Sequence, residues 1–222
     1  MYDLIIFDCD GTLTDSEYAY NECSVDVFKD YGLDFTVDYA LQNWMGKSQD
    51  DIIRLEAKKN RMDLPVEEIK NKFIVNTPAY LEKYLKPVSG ALDAVRELHK
   101  DFKCCVASNG ERPNVIASLK LLKFAEFFDD RHIFTKDDVA RAKPFPDLFL
   151  HACEKMNIAP DQSIIIEDSV SGVTAARAAG AYTIGFNGVD FHGLQSDQKL
   201  KEAGADIVFS DWKDILNHIN SL

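Results

Sequence analysis

The stretch Leu4-Ile5-Ile6-Phe7-Asp8-Cys9-Asp10-Gly11-Thr12 decides the fold of this chain, because a short apolar run leads directly into a polar turn. An apolar run without alternation is typical of a strand buried on both faces, as in a parallel sheet covered by helices. Similar runs recur along the chain, followed by turns and longer helical patterns, so we predict a doubly wound α/β fold. The further strands are predicted at Cys104–Ala107, Ile164–Ile166, Tyr182–Phe186 and Ile207–Phe209.

Polar residues follow three of the predicted strands at the point where each strand ends. They are Asp8 and Asp10 after the first strand, Ser108 and Asn109 after the second, and Glu167 and Asp168 after the third. In open sheets of this kind, ligands bind outside the carboxyl ends of the strands, where the strand order changes direction. The sequence therefore predicts a ligand site that is built from these three strand ends.

The acidic residues in this group indicate a metal. Asp8 and Asp10 lie two residues apart, so in an extended chain both carboxylates point to the same side and repel each other. Asp168, with Glu167 beside it, brings further carboxylates from another strand end. Acids from two strand ends favour a shared cation, and oxygen ligands of this kind suit Mg2+. Taken alone, Asp8–Gly11 also fits an ordinary Asp-rich turn.

Phosphate is the ligand that the other polar residues favour. A hydroxyl on Ser108 and an exposed backbone amide at Asn109 can hydrogen-bond phosphate oxygens. Lys143 precedes Pro144-Phe145-Pro146, which stiffens the chain and would hold the ammonium group as a fixed cation. The alternatives are a plain Ser-Asn-Gly turn and a lysine on the surface.

The region from about residue 16 to residue 84 interrupts the strand–helix pattern. Helices are predicted there at about Glu17–Tyr31, Asp50–Asn60 and Val66–Leu85, with a kink or a break possible at Pro78. We therefore predict a Rossmann-like core of residues 1–15 and 86–222, with an α-helical domain, residues 16–85, inserted into it.

Composition and charge limit the classes of partner. The 222 residues carry a formal net charge of -12, which disfavours nucleic acid. The five scattered cysteines suit a reducing compartment, and no apolar run is long enough to span a membrane. We expect a cytoplasmic protein with neither nucleic acid nor membrane as a partner. The sequence makes no prediction of the oligomeric state.

Four segments in this order resemble the motifs of the haloacid dehalogenase superfamily of phosphotransferases. They are Asp8–Asp15, Ser108-Asn109, Lys143 and Glu167-Asp168. The segments Lys143–Phe149 and Glu167–Gly172 resemble the β-phosphoglucomutase and phosphoglycolate phosphatase-like group, and the helical insert resembles that family's cap domain. The resemblance implies a Mg2+-dependent phosphatase that acts on a small phosphorylated metabolite, such as a sugar phosphate or a phosphorylated organic acid.

The resemblance also implies a role for each residue. Asp8 attacks phosphorus and forms an aspartyl-phosphate, while Asp10 protonates the leaving oxygen and later deprotonates water. Mg2+ is bound by the Asp8 carboxylate, the Asp10 carbonyl and Asp168, with Glu167 in support. Ser108 and the Asn109 amide hold phosphoryl oxygens. Lys143 balances the charge on Asp8 and the phosphate, and is counted among both catalytic and phosphate-binding residues.

Substrate choice is expected to lie in the inserted domain. Its segment Trp44–Gln49 resembles the family's cap loop, from which Lys47 or Gln49 would contact the substrate. A connecting loop with a solvated lysine explains the same residues.

Two other functions stay open. A sugar phosphate mutase of this group typically has a histidine early in the cap and an arginine in the cap loop, where this chain has Tyr20 and Gln49. Both departures favour hydrolysis over the mutase reaction, and the presence of Asp10 disfavours a dehalogenase. A non-catalytic phosphate or metal sensor is the other alternative, since fold alone does not decide function.

Overall fold

The computed structural model of the chain describes residues 1–44, 47–189 and 196–222. The chain divides into two compact units, of which the first is Met1–Asp15 with Lys86–Leu222 and the second is Ser16–Leu85. Each unit has an apolar core of its own.

Strands and helices alternate along the first unit. Its strands are β1 Leu4–Phe7, β2 Thr14–Asp15, β3 Lys86–Pro87, β4 Lys103–Ser108, β5 Ile133–Thr135, β6 Ser163–Glu167, β7 Tyr182–Phe186 and β8 Ile207–Phe209. Its α-helices are α5 Ala91–Leu98, α6 Arg112–Leu121, α7 Asp147–Met156, α8 Val170–Ala179, α9 Asp197–Ala203 and α10 Trp212–Ile219. The second unit is helical, with α1 Glu17–Lys29, α2 Val37–Trp44, α3 Gln49–Asn60 and α4 Val66–Tyr84.

Six strands of the first unit form one parallel sheet in the order β5-β4-β1-β6-β7-β8. This order confirms the predicted doubly wound α/β fold, since β1 lies at the centre and the chain builds outward from it in both directions. Strand β5 was not predicted, because only two of its residues, Ile133 and Phe134, are apolar and charged residues lie close on both sides.

Apolar side chains cover both faces of the sheet. Successive side chains of a strand point to opposite faces, and β1 divides accordingly. Ile5 and Phe7 pack into one apolar cluster, together with residues of α5, α6 and α10. Leu4 and Ile6 pack into another, together with residues of α7 and α8. The continuous apolar run of β1 thus has a physical cause, because neither face of this strand meets water.

The helical unit is built around a group of aromatic rings. The ring of Phe28 lies 5.2 Å from that of Trp44 and 5.8 Å from that of Phe73, measured between centroids. Three of its helices begin and end within two residues of the predicted positions, and α4 runs past Pro78 without a break. The sequence analysis missed α2, because eight residues give too short a periodic pattern to recognise.

A two-stranded antiparallel ladder joins the two chain segments of the first unit. Thr14 of β2 pairs with Pro87 of β3, and Asp15 pairs with Lys86. The chain therefore leaves and re-enters this unit at neighbouring points. In the described part of the chain, no helix is long and apolar enough to cross a membrane.

Candidate active site

The carboxyl ends of the three central strands bring the predicted polar residues together. Phe7, the last residue of β1, aligns with Val106 of β4 and Ile166 of β6. Asp8 follows directly, and its N–H donates to the carbonyl oxygen of Ile166 at 2.9 Å. By the same register Asp8 lies between Ala107 of β4 and Glu167 of β6, close to the ends of both strands.

The loop after β1 turns tightly against Asp168. The N–H groups of Leu13 and Thr14 both donate to the carbonyl oxygen of Cys9 at 2.9 Å. Gly11 has a φ of 87°, in the left-handed region that favours glycine. A Cβ atom at Gly11 would overlap the Asp168 carboxylate, so this position has room for no side chain.

Three buried carboxylates form a cluster that can hold a metal. Asp8, Glu167 and Asp168 each place a carboxylate oxygen within 4.8 Å of the others. The Thr12 hydroxyl donates to Asp168 Oδ1 at 3.4 Å. Oxygen atoms in this number suit a hard cation such as Mg2+, which binds its ligands at about 2.0–2.1 Å.

Lys143 reaches this cluster from the loop before α7. Its Nζ donates to Asp8 Oδ1 at 2.6 Å, to Glu167 Oε1 at 2.7 Å and to the carbonyl oxygen of Ala107 at 2.8 Å. The Lys143 side chain is only 2% exposed, and its Nζ lies 4.7 Å from the centre of the Phe149 ring. Lys143 is therefore not the surface lysine that the sequence left as an alternative.

Burial and charge act in opposite directions on the ionisable groups of the cluster. Burial raises the pKa of Asp8 well above its usual value, which Lys143 only partly offsets. Burial, with repulsion from Glu167 and Asp8, also raises the pKa of Asp168. Burial alone would lower the pKa of Lys143, but attraction to Asp8 and Glu167 outweighs it and raises this pKa. A bound cation would lower the carboxyl pKa values, because it stabilises the ionised form.

Glu167 is held in place on both of its oxygens. Oε1 accepts from Lys143, while Oε2 accepts from the N–H of Ser169 at 2.7 Å and from its hydroxyl at 2.9 Å. The Ser169 hydroxyl also accepts from the N–H of Gly172 at 3.0 Å, and so caps α8. With its oxygens used in this way, Glu167 is placed to orient its neighbours more than to bind a metal directly.

Ser108 and Asn109 lie at the end of β4. The hydroxyl oxygen of Ser108 accepts from the N–H of Gly110 at 2.9 Å, which orients the hydroxyl and leaves its proton to be donated elsewhere. The side chain of Asn109 bonds the main chain of Lys143 through two hydrogen bonds, at 3.0 and 3.1 Å. No local pattern in the sequence indicates this pair of hydrogen bonds, which joins residues 34 positions apart.

The carboxylate of Asp10 is not one of the three that lie within 4.8 Å of one another. Its Oδ1 accepts from the Thr14 hydroxyl at 3.4 Å, and its Oδ2 would lie 3.3 Å from a Cβ atom at Gly110. That Asp8 and Asp10 point to the same side of the chain, as expected for an extended segment, stays a prediction. A role for Asp10 as a metal ligand therefore falls to its carbonyl group and stays a prediction.

Lys47 and Gln49, the predicted substrate contacts, belong to the helical unit. The Nζ of Lys47 donates to the carbonyl oxygen of Asn43 at 2.7 Å, and Gln49 is the first residue of α3. The other members of the predicted cap loop include Met45 and Gly46, which lie outside the described residues. Contact of Lys47 or Gln49 with substrate stays a prediction.

The sequence analysis missed two residues that support the site. Ser169 could have been recognised, because a serine directly before a helix is a common N-cap, here following Glu167-Asp168. Thr12 follows the glycine of the first motif, but its contact with Asp168 joins residues 156 positions apart, and no local pattern signals it.

Comparison with known proteins identifies one protein family. A family model described as haloacid dehalogenase-like hydrolase matches residues 5–186. The chain is 29% identical over 214 residues to the phosphorylated carbohydrates phosphatase of Thermotoga maritima, covering 96% of each chain. It is 32% identical over 214 residues to the SUPPRESSOR OF QUENCHING 1 protein of Arabidopsis thaliana. That match covers 93% of this chain but only 19% of the much longer plant protein.

Solved structures agree on the fold. A conserved haloacid dehalogenase-like protein of unknown function from Agrobacterium tumefaciens superposes with a TM-score of 0.81 and is 28% identical in sequence. The match covers 100% of this chain and 99% of the bacterial one. The likeness therefore extends over both compact units.

Proposed function

Since the chain belongs to the haloacid dehalogenase-like hydrolase family, we propose that it is a Mg2+-dependent phosphatase that acts through an aspartyl-phosphate on Asp8. One observation carries the proposal. The Asp8 carboxylate lies in a buried cluster with Glu167 and Asp168, and Lys143 binds it at 2.6 Å. A carboxylate held beside a fixed ammonium group can approach a phosphate dianion that would otherwise repel it.

The residues of the cluster fit a magnesium ion. Asp8 and Asp168 offer carboxylate oxygens, Gly11 has no side chain that would displace the Asp168 carboxylate, and Glu167 supports the arrangement. One lysine leaves three buried carboxylates with excess negative charge, which a divalent cation would balance. When bound, Mg2+ neutralises charge on the phosphoryl oxygens.

The residues of the chain carry the two steps of hydrolysis. Asp8 attacks phosphorus, and the bond from phosphorus to the ester oxygen breaks as Asp10 gives that oxygen a proton. Water then attacks the phosphoryl group while Asp10 takes up a proton from it, and the bond to Asp8 breaks. Inorganic phosphate leaves, and both aspartates return to their starting state.

Three groups hold the phosphoryl group during both steps. The Ser108 hydroxyl has a proton to donate, since its oxygen already accepts from Gly110. The backbone N–H of Asn109 is the second donor. Lys143 neutralises charge on Asp8, from which position it also balances the charge that the phosphate brings.

A small phosphorylated carbohydrate or organic acid is the proposed substrate. The Thermotoga maritima relative, whose name describes a phosphatase of phosphorylated carbohydrates, matches along nearly its whole length. Lys47 and Gln49 of the helical unit are the proposed residues of substrate choice, and residues 16–85 the proposed cap over a core of residues 1–15 and 86–222. We further propose a cytoplasmic protein, since the five cysteines are free and buried, as suits a reducing compartment.

Phosphate release from a panel of phosphorylated metabolites tests the proposal. Wild-type protein with Mg2+ should hydrolyse a generic phosphomonoester and prefer one or a few sugar phosphates. Asp8→Asn should abolish release, since the amide is no nucleophile, and chelation of Mg2+ should do so reversibly. Asp161→Asn, which changes an aspartate in the short helical turn before β6, is the matched control.

The same panel distinguishes the other two functions. Conversion of one sugar phosphate into its isomer, dependent on a bisphosphate primer and with little phosphate release, would identify a mutase. Metal or phosphate binding without turnover of any ester would identify a sensor. Either result would exclude the proposed hydrolysis.

A further inference from the structure

The side chain of Asn109 and the main chain of Lys143 form a reciprocal pair. Nδ2 of Asn109 donates to the carbonyl oxygen of Lys143 at 3.1 Å, and the N–H of Lys143 donates to Asn109 Oδ1 at 3.0 Å. These residues lie 34 positions apart, and both belong to the segment Lys86–Leu222 of the first unit. Two hydrogen bonds that join the same two residues fix both distance and orientation, as one bond would not.

The loop that carries Lys143 needs such a contact. Residues 139–146 lie between the short helical turn that ends at Asp138 and the start of α7, outside any helix or strand. Within this loop the N–H of Phe145 donates to the carbonyl oxygen of Ala142 at 3.0 Å. A segment without regular hydrogen bonding is positioned by its contacts with neighbouring elements.

The ammonium end of Lys143 is also held by β4. The three N–H groups of the ammonium meet three acceptors, of which one is the carbonyl oxygen of Ala107 at 2.8 Å. Ala107 and Asn109 are two residues apart at the end of β4. This strand end therefore holds Lys143 at both its backbone and its ammonium group.

We propose that the Asn109 side chain is a positioning group for Lys143 and not a ligand of the substrate phosphate. The backbone N–H of Asn109 remains as the phosphate donor, so the two functions of this residue are separable by mutation. The inference rests on the proposed function, because it concerns the lysine that serves Asp8. It assigns the Asn109 side chain an effect on the reaction that passes through Lys143.

Hydrogen exchange of the Lys143 amide tests the contact without reference to activity. Asn109→Ala removes the acceptor of this N–H, so its exchange, followed by NMR, should accelerate about fivefold or more. Asn187→Ala is the matched control, because it removes an asparagine that follows a strand of the same sheet but bonds Asp197 instead. Unchanged exchange of Lys143 in Asn109→Ala would overturn the proposal.

A double-mutant cycle tests whether the Asn109 side chain affects the reaction through Lys143. Asn109→Ala should lower kcat about 10- to 100-fold, as expected for a small misplacement of Lys143, with KM changed less than about threefold. In a Lys143→Met background, the same substitution should change kcat by less than about twofold, because the group it positions is absent. Equal losses in both backgrounds would show an independent action and overturn the proposal.

Binding of inorganic phosphate gives the same cycle a second readout. With Mg2+ present, calorimetry should find that Asn109→Ala does not weaken phosphate binding in the Lys143→Met background, whereas a direct phosphate ligand would weaken it there too. If Asn109→Ala does not fold, Asn109→Asp replaces the donor that faces the Lys143 carbonyl, and the same cycle is measured. Absence of any hydrolysis by wild-type protein would refute the proposed function, whereas amide exchange would still decide the positioning.

Discussion

Charge balance at individual residues explains why the site is built as it is. Lys143 is one cation among three buried carboxylates, and each of its N–H groups already has an acceptor. Ion pairs of this kind stabilise a fold only when every partner is satisfied, since removing one leaves an uncompensated buried charge. A divalent ion and one lysine together match three carboxylates, which gives the proposed metal a structural as well as a chemical purpose.

Gly11 provides a prediction at the scale of the residue. Gly11→Ala adds a methyl group that overlaps the Asp168 carboxylate and strains a backbone with a φ of 87°. Because Asp168 must move, we expect the Mg2+ concentration for half-maximal activity to rise about tenfold or more. The measurement is phosphate release at increasing Mg2+ concentration.

The control for this prediction separates the effect of backbone strain at a glycine from the effect of displacing Asp168. Gly180 has a φ of 86°, and a Cβ atom there would meet nothing within 4 Å. Gly180→Ala should therefore lower the free energy of unfolding by about 1–2 kcal/mol without changing the Mg2+ dependence. An equal change of Mg2+ dependence in both variants would contradict the role assigned to Gly11.

At the scale of the element, α8 begins where the cluster ends. Ser169 caps the helix and also bonds Glu167, so the start of the helix and the position of this carboxylate depend on the same hydroxyl. Gly172 lies in the first turn of α8, and a Cβ atom there would overlap the Glu167 carboxylate. The helix can approach the cluster this closely because residue 172 has no side chain.

Gly172→Ala should therefore have the opposite effect from the one that helix propensity predicts. Alanine in place of glycine inside a helix usually stabilises it by about 0.5–1 kcal/mol. Here the added methyl group displaces Glu167, so we expect the free energy of unfolding to fall by about 1–3 kcal/mol, with a loss of activity. Urea denaturation measures the stability.

Ser171→Ala is the comparison within the same turn of α8. It also introduces alanine, but the Ser171 hydroxyl contacts Ser169 and not the carboxylates. This variant should change the free energy of unfolding by less than about 0.5 kcal/mol. A stabilising Gly172→Ala would show that Glu167 moves aside without penalty.

At the scale of the whole molecule, the chain leaves the first unit after Asp15 and re-enters it at Lys86. The antiparallel ladder of β2 and β3 holds these two points together. The first unit contains the described parallel sheet and two apolar clusters of its own. Such a unit has the core that independent folding requires.

Replacing residues 16–85 with a short turn such as Asn-Gly should therefore leave a folded protein. Two-residue turns suit an antiparallel pair of strands, and β2 and β3 already provide one. We expect cooperative thermal unfolding, measured by circular dichroism, and a rise in midpoint on adding Mg2+, because the carboxylate cluster is retained. A non-cooperative transition would show that the helical unit is needed for folding.

Substrate preference is the second measurement on this deletion variant. If the helical unit decides substrate choice, the variant should hydrolyse sugar phosphates no better than a generic phosphomonoester. The full-length chain carrying Asp161→Asn serves as the reference for activity. A preference retained after deletion would assign substrate choice to the parallel-sheet unit instead.

Local sequence pattern was enough to predict the parallel sheet and the residues at its carboxyl edge. Buried strands need continuous apolar runs, so β1, β4, β6, β7 and β8 were all recognisable from local pattern. The elements β2, β5 and α2 were missed, because β2 has no apolar residue, β5 has only two and the eight residues of α2 give too short a periodic pattern.

Which side chains contact each other at the site became known only from the folded chain. Thr12 reaches Asp168, Ser169 holds Glu167 and Asn109 holds the main chain of Lys143. The folded chain also leaves the Asp10 carboxylate out of the group of three that lie within 4.8 Å of one another. A local sequence pattern indicates which residues are buried, because burial follows from the hydrophobicity of each residue taken singly. Partners distant in sequence are set by strand order and loop course, which depend on the whole fold.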